Sequence, residues 1–194
     1  MESSAVFRLV AGLGNPGRDY AGTRHNVGFL VADELARRSA CRFAFEKRWD
    51  AEIAMCGGRV IMKPQTFMNL SGEPVGGYAR YFKLGFDEVL VIIDDIALPL
   101  GSVRLRKSGS SGGHNGLESV LIHLGTELVP RLRVGIGTPD GRPLHDHVLG
   151  RFEKEELPAV GDAVARAADA FEFANAHGLE AAMNHYNQKN QTTP

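Results

Sequence analysis

The sequence predicts an α/β protein, a single domain built as a three-layer sandwich around a twisted mixed β-sheet. Short aliphatic runs such as Val6–Ala11 and Val89–Ile93 read as buried strands. Segments with helical apolar spacing alternate with these strands, the pattern of helices packed on a sheet. There is no internal repeat and no linker that would divide the 194 residues, a length sufficient for a sizeable core. The domain is expected to span residues 1–187, with 188–194 as a frayed tail.

Val6–Ala11 ends at Gly12 and empties into a loop rich in glycine, asparagine and charge. From about His25 to Ser39, Val27, Leu30, Val31 and Leu35 recur at helical spacing, and Arg37 and Arg38 suit the C-terminal end of the helix dipole. Phe43–Phe45, Ala51–Cys56 and Arg59–Met62 read as short strands, the last two joined by a Gly57-Gly58 hairpin turn. Lys63–Leu70 is polar and irregular. Ser71 is the expected N-cap of a helix carrying Val75, Tyr78 and Phe82 and closed by Gly85.

Val89–Ile93 ends on Asp94-Asp95. In Ser102–Lys107, Val103 and Leu105 alternate with Arg104 and Arg106, as in a half-exposed strand. A Gly/Ser loop follows to Gly113. Leu117, Val120, Leu121 and Leu124 mark a helix with Gly125 past its end, and Leu132–Gly137 is a further strand. Two helices close the chain. One carries Leu157, Val160, Val164 and Phe171; the other carries Leu179, Ala182, Met183 and Tyr186.

A net charge of −1 excludes a generally basic nucleic-acid binder, so any such contact must be a local patch. One is present: from Arg104 to Arg133 five basic residues (Arg104, Arg106, Lys107, Arg131, Arg133) face two acidic ones (Glu118, Glu127). A solvated strand face would also explain it. Beside a Gly-rich loop that opens a helix, a phosphate site gains ground. Cys41 and Cys56 lack CxxC or ligand spacing and are expected as buried free thiols. The N-terminus has no signal-peptide pattern, and Val89–Ile93 is far too short to span a bilayer, so a soluble cytoplasmic protein is expected.

Several motifs suggest chemistry. Gly12-Leu13-Gly14-Asn15-Pro16-Gly17 spells GxGxxG after a strand, but no helix opens at once and Pro16 removes an N–H, which argues against a dinucleotide cradle. Gly109-Ser110-Ser111-Gly112-Gly113 contains GxSxG, yet its small-residue setting reads as a mobile loop rather than a nucleophile elbow. His145 and His147 flank Asp146 without a third metal ligand at sensible spacing, and the segment reads as a solvated surface turn. His123, His177 and His185 sit on helix faces and read as structural or exposed. The unusual feature is three asparagines, Asn15, Asn69 and Asn115, on separate loops, with Asp94 at one strand end and His25 beyond another. A single loop asparagine is usually a turn residue. Together these suggest a polar cleft that donates and accepts hydrogen bonds without charge, suited to a substrate rich in carbonyls and hydroxyls.

GLGNPGRDYAGTRHNVGF, KPQTFMNLSG, VLVIIDDIALPLG, GSSGGHNGL, RLRVGIGTP and HDHVLGRF resemble, in order and over about residues 7–185, the bacterial-type peptidyl-tRNA hydrolase family. The resemblance implies a cytoplasmic monomer of α/β fold that needs no metal or organic cofactor. It would cleave the ester joining a peptide to the 3′-terminal ribose of tRNA, recycling tRNA in translation, without an obligate protein partner. By motif position His25 would be the catalytic histidine, Asp94 its acidic partner, and Asn15, Asn69 and Asn115 the cleft asparagines. Asn26, Tyr20, Phe67 and His114 fall in matching motifs, and Arg106 and Arg133 fall where basic residues meet tRNA phosphate. Ile93 and Ala97 depart from the family's usual histidine and acid, and Asp95 stands as a second possible partner for His25. The competing implication is a catalytically silent RNA-binding relative of the same fold, as among plant organellar splicing factors; His25, Asp94 and the three asparagines favour the enzyme.

The chemistry expected is general-base hydrolysis, with His25 activating water, Asp94 orienting the imidazole and Asn15 or Asn69 donating to the oxyanion. The loop from Lys107 to Gly113 is expected to close over the substrate.

Overall fold

The computed structural model describes residues 7–188; Val6 and most of the predicted tail lie outside the described residues. In chain order the elements are β1 (Leu9–Gly12), α1 (Val27–Arg38), β2 (Ala44–Glu46), β3 (Ala51–Cys56), β4 (Arg59–Pro64), α2 (Gly72–Tyr81), β5 (Val89–Asp95), β6 (Val103–Arg106), α3 (Asn115–Leu124), β7 (Arg131–Gly135), α4 (Leu144–Leu149), α5 (Leu157–His177) and α6 (Leu179–Tyr186). The strands form one mixed sheet in the order β2-β3-β4-β1-β5-β7-β6. The central strands β4, β1, β5 and β7 run parallel, and the flanking pairs β2–β3, β3–β4 and β6–β7 are antiparallel.

The sheet carries a core on each face, which confirms the three-layer sandwich. Val10, Ile61, Leu90, Ile92, Leu105 and Leu132 pack under α1, α5 and α6. Leu9, Ala11, Met62, Val91 and Ile93 pack under α2 and α3. β1 is buried throughout, as an apolar run with no polar alternation requires. Its last residue, Gly12, lies against Gly28 of α1; a Cβ at Gly12 would stand 2.2 Å from the Gly28 carbonyl oxygen. That closeness lets α1 begin directly over the end of β1, which is where His25 is placed.

Four local expectations are corrected. Ser71 makes no capping bond; Ser119 Oγ of α3 accepts the first N–H of α2, from Gly72, at 2.9 Å. α2 stops before Gly85, with Lys83 in the left-handed region at φ 54°. The segment around His145–His147 is a helix rather than a solvated turn: His147 is 4% exposed, and its Nε2–H donates to Gly137 O at 2.9 Å. Cys41 and Cys56 are disulfide-bonded rather than free, their Cα atoms 5.8 Å apart. The chain reverses through β2 and β3 and returns beside the end of α1, a meeting that spacing alone does not encode.

Beyond α6, Asn187 spreads its amide over the outer strand β6. Oδ1 accepts from Leu105 N–H and Nδ2 donates to Leu105 O, both at 2.8 Å.

Candidate active site

The C-terminal ends of the parallel strands β1, β4 and β5 open onto one cleft of about 1090 Å³. Ligands in open α/β sheets bind outside such strand ends. Asn15 arrives on the loop after β1, Phe67 and Asn69 on the segment after β4, Asp94 at the end of β5, and His114 and Asn115 where α3 begins; all line the cleft with His25. Residues far apart in sequence thus converge as the sequence predicts, and the GxSxG serine, Ser111, lies on the cleft's rim loop.

Asp94 is the hub. It is 4% exposed and its Oδ1 accepts from His25 Nδ1 at 2.7 Å and from His114 Nε2 at 2.9 Å. Burial alone would raise its carboxyl; His114 and then His25 outweigh that and hold it well below the usual carboxylate range. An ionised Asp94 fixes the His25 proton on Nδ1 and leaves Nε2 as the free base. The tautomer of His114 follows from its other nitrogen. Nδ1 accepts the N–H of Leu117 at 3.1 Å and caps α3, so the proton sits on Nε2 and points at Asp94.

This bears on whether the His25, Asp94 and His114 group could hold a metal. Their ligating atoms lie within 4.8 Å of one another. A metal would need the Nε2 lone pair of His114, which requires losing the helix-capping bond at Nδ1 or forming imidazolate. The donor set suits a proton network, not a metal.

β-Strand alternation separates the two aspartates. Asp94 and Asp95 point to opposite faces of β5. Asp95 takes Arg133 through Oδ2 and the Ala97 N–H through Oδ1 at 2.8 Å, so it is no partner for His25.

Asn15 and Asn26 are interlocked. Asn26 Oδ1 accepts from Asn15 N–H and Asn26 Nδ2 donates to Asn15 O, both at 2.9 Å. Asn15 Oδ1 accepts from Met68 N–H at 2.7 Å. That bond orients the amide, leaving Nδ2, a donor, for the cleft. Asn26 is therefore a buried brace for Asn15 and not a cleft-lining residue. Tyr20 also stays off the lining and packs edge-on against Phe67, ring centroids 6.1 Å apart.

A family model described as peptidyl-tRNA hydrolase matches residues 9–194. The chain belongs to the peptidyl-tRNA hydrolase family. A relative named peptidyl-tRNA hydrolase from Geobacillus kaustophilus is 50% identical over 186 residues, covering 94% of this chain and all of that protein. One of the same name from Akkermansia muciniphila is 45% identical, covering 94% of this chain and 97% of that one. The crystal structure of peptidyl-tRNA hydrolase from Acinetobacter baumannii superposes with a TM-score of 0.88 at 30% identity, covering 95% of this chain and 96% of that one.

The other wall of this peptidyl-tRNA hydrolase cleft is basic. Arg106 and Arg133 both line it, as their positions in the family motifs imply. β6 pairs with β7 so that Arg104 faces Arg133 and Arg106 faces Arg131. Val103 and Leu105 turn to the α5/α6 core, which puts all four arginines on the opposite face.

Sequence reasoning missed three contributors. Leu144, His145, Val148 and Leu149 of α4 close one end of the cleft; a six-residue helix after Pro143 is too short for periodicity to reveal. Arg24, 2% exposed, anchors the turn that carries His25: its Nη2 donates to Glu156 Oε2 at 2.6 Å and its Nη1 to Arg151 O. Arg131, also buried, holds the loop after β6. A polar group next to a site histidine, or between two cleft arginines, was the available signal.

Proposed function

We propose that this chain hydrolyses the ester between the peptide and the 3′-terminal ribose of peptidyl-tRNA, with His25 as general base. The observation that carries the assignment is the Asp94–His25 hydrogen bond of 2.7 Å, which leaves Nε2 unprotonated toward the cleft. Nε2 takes a proton from water, the hydroxide attacks the ester carbonyl, and Asp94 stabilises the imidazolium as it forms. Asn15 Nδ2 supplies the oxyanion donor. Its other amide end is bonded to Met68, so no reorganisation is needed as charge develops. Asn69 and Asn115 bind peptide main chain, and the exposed Phe67 ring, braced by Tyr20, offers a stacking face to the RNA end.

Arg106 and Arg133 take tRNA phosphate, which reconciles RNA binding with a net charge of −1. The cleft is complete within one chain, in keeping with a monomer that works in the cytoplasm, where ribosomes produce the substrate. No helix among the described residues is long and apolar enough to cross a membrane.

The test is turnover of purified protein on peptidyl-tRNA. His25→Ala lowers kcat by about 10²–10⁴-fold with little loss of stability. Near-normal hydrolysis by that variant ends the general-base assignment, and the silent RNA-binding relative becomes the better reading if the unaltered protein binds the substrate without cleaving it.

A further inference from the structure

Within the loop from Lys107 to Gly113, residues 108–113 form the rim of the cleft that Asn15 and His25 also line. Its two halves are built differently. In the first half, Gly109 O and Ser110 O both accept from one guanidinium nitrogen, Arg131 Nη1, at 2.5 and 3.1 Å. Gly109 N–H adds a bond to Glu127 O at 3.0 Å. In the second half, Gly112 and Gly113 stand at φ 58° and 83° with open space where a Cβ would be. A turn joins them to the helix, local to Ser111: His114 N–H donates to Ser111 O at 3.1 Å and Gly113 N–H to Ser111 Oγ at 3.4 Å.

Arg131 is 3% exposed. Its remaining bonds also go to main chain: Nε to Val129 O at 2.9 Å and Nη2 to Glu127 O at 3.1 Å. A buried guanidinium that makes four hydrogen bonds to carbonyls and, among the described residues, none to a carboxylate is unusual, because burial of a cation normally calls for an anion. The fork geometry is what the site uses. Planar N–H groups reach two consecutive loop carbonyls and two carbonyls of the 127–129 segment at once, which an ammonium cannot do.

The geometry points to Arg131 as a positioning residue that roots the cleft-rim loop. Motion of the rim is thereby confined to the Gly112–Gly113 turn, and the Ser108–Ser111 wall is held at a fixed distance from the ester site. The inference builds on the hydrolase reading and adds a division of labour among neighbouring arginines on one sheet face. Arg106 and Arg133 present charge to RNA, while Arg131 shapes the wall that any substrate meets, whether or not it carries tRNA.

The substrates that separate these roles are peptidyl-tRNA and a minimal peptidyl-adenosine ester. Arg131→Lys and Arg131→Met each raise KM about tenfold, by the same factor on both substrates, and leave kcat within about threefold. Brief trypsin treatment cuts after Lys107 about fivefold faster in both variants, at a temperature well below their melting points. The trypsin measurement needs no turnover, so it stands even if the hydrolase reading fails.

Loss confined to peptidyl-tRNA would make Arg131 a phosphate ligand and overturn the proposal. So would a lowered melting point with unchanged KM and unchanged cleavage at Lys107, the signature of a merely structural residue. Full recovery of KM by lysine would show that charge, not the fork, is what matters, and would overturn it as well.

Discussion

Two walls meet in this cleft and are organised in opposite ways. Around Asp94, polar groups answer one another: two imidazoles share one carboxylate oxygen, and the amides of Asn15 and Asn26 are locked to main chain. Along β6 and β7, four arginines lie on one face, and Asp95 is the one carboxylate that hydrogen-bonds to any of them among the described residues. The first wall is finished before substrate arrives, as transition-state stabilisation requires. The second is short of anions and is completed only by a ligand that brings them. In the proposed function, chemistry and recognition are separated along the sheet, with the loop rooted on Arg131 between them.

The largest effects should come from breaking the finished wall. Asp94→Asn lowers kcat by about 10³–10⁴-fold, because an amide no longer enforces the productive His25 tautomer, as with the acid of hydrolytic triads; single-turnover measurement checks it. Asn15→Ala lowers kcat by about 10²–10³-fold with KM little changed, since it removes a donor used mainly in the transition state. A pure KM effect in that variant would move the oxyanion role to Asn69.

The same wall carries a pH signature. Asp94 titrates lower in the folded protein than in the unfolded chain, so its contribution to stability is present above the unfolded carboxylate value and is lost as pH falls through the folded one. The stability gap between the protein and Asp94→Asn should therefore narrow as pH falls below about 4, as chemical denaturation at stepped pH would show.

The smallest effect is on the open wall. Arg133→Ala raises KM for peptidyl-tRNA about tenfold and flattens its salt dependence, yet barely alters hydrolysis of a minimal peptidyl-nucleoside ester. Equal loss on both substrates would erase the separation between the walls.

How far the sequence reveals all this varies with the range of the interaction. β1, β5, α1 and α3 are written in local apolar pattern and terminal glycines, and the helix of α3 ends on left-handed Gly125 as read. The convergence of His25, Asp94 and the three asparagines was legible because the motifs fix which loops follow which strands. Other features depend on what a segment meets across space. Asp94 and Asp95 are equivalent on paper, and only the faces of β5 tell them apart. His147 looks solvated until Gly137 is found beside it. Asn26 reads as a site residue, but the partner it grips is the Asn15 main chain. The Cys41–Cys56 pairing and the Gly109–Ser110 root depend on returns of the chain that no window of sequence contains.

One small contact, the Asn187 amide on Leu105, bears on how the molecule behaves in a crowd. β6 is the outermost strand of the sheet, and an unpaired strand edge invites pairing with another chain. By occupying both main-chain groups of Leu105, a single side chain stands in for the missing neighbour at the strand's centre. The half-exposed Arg104 and exposed Arg106 on either side set like charges against any second copy that approaches in register. The edge is thereby guarded against self-association in two ways, and Asn187→Ala should aggregate more readily than the unaltered chain at high ionic strength, where the arginine charges are screened.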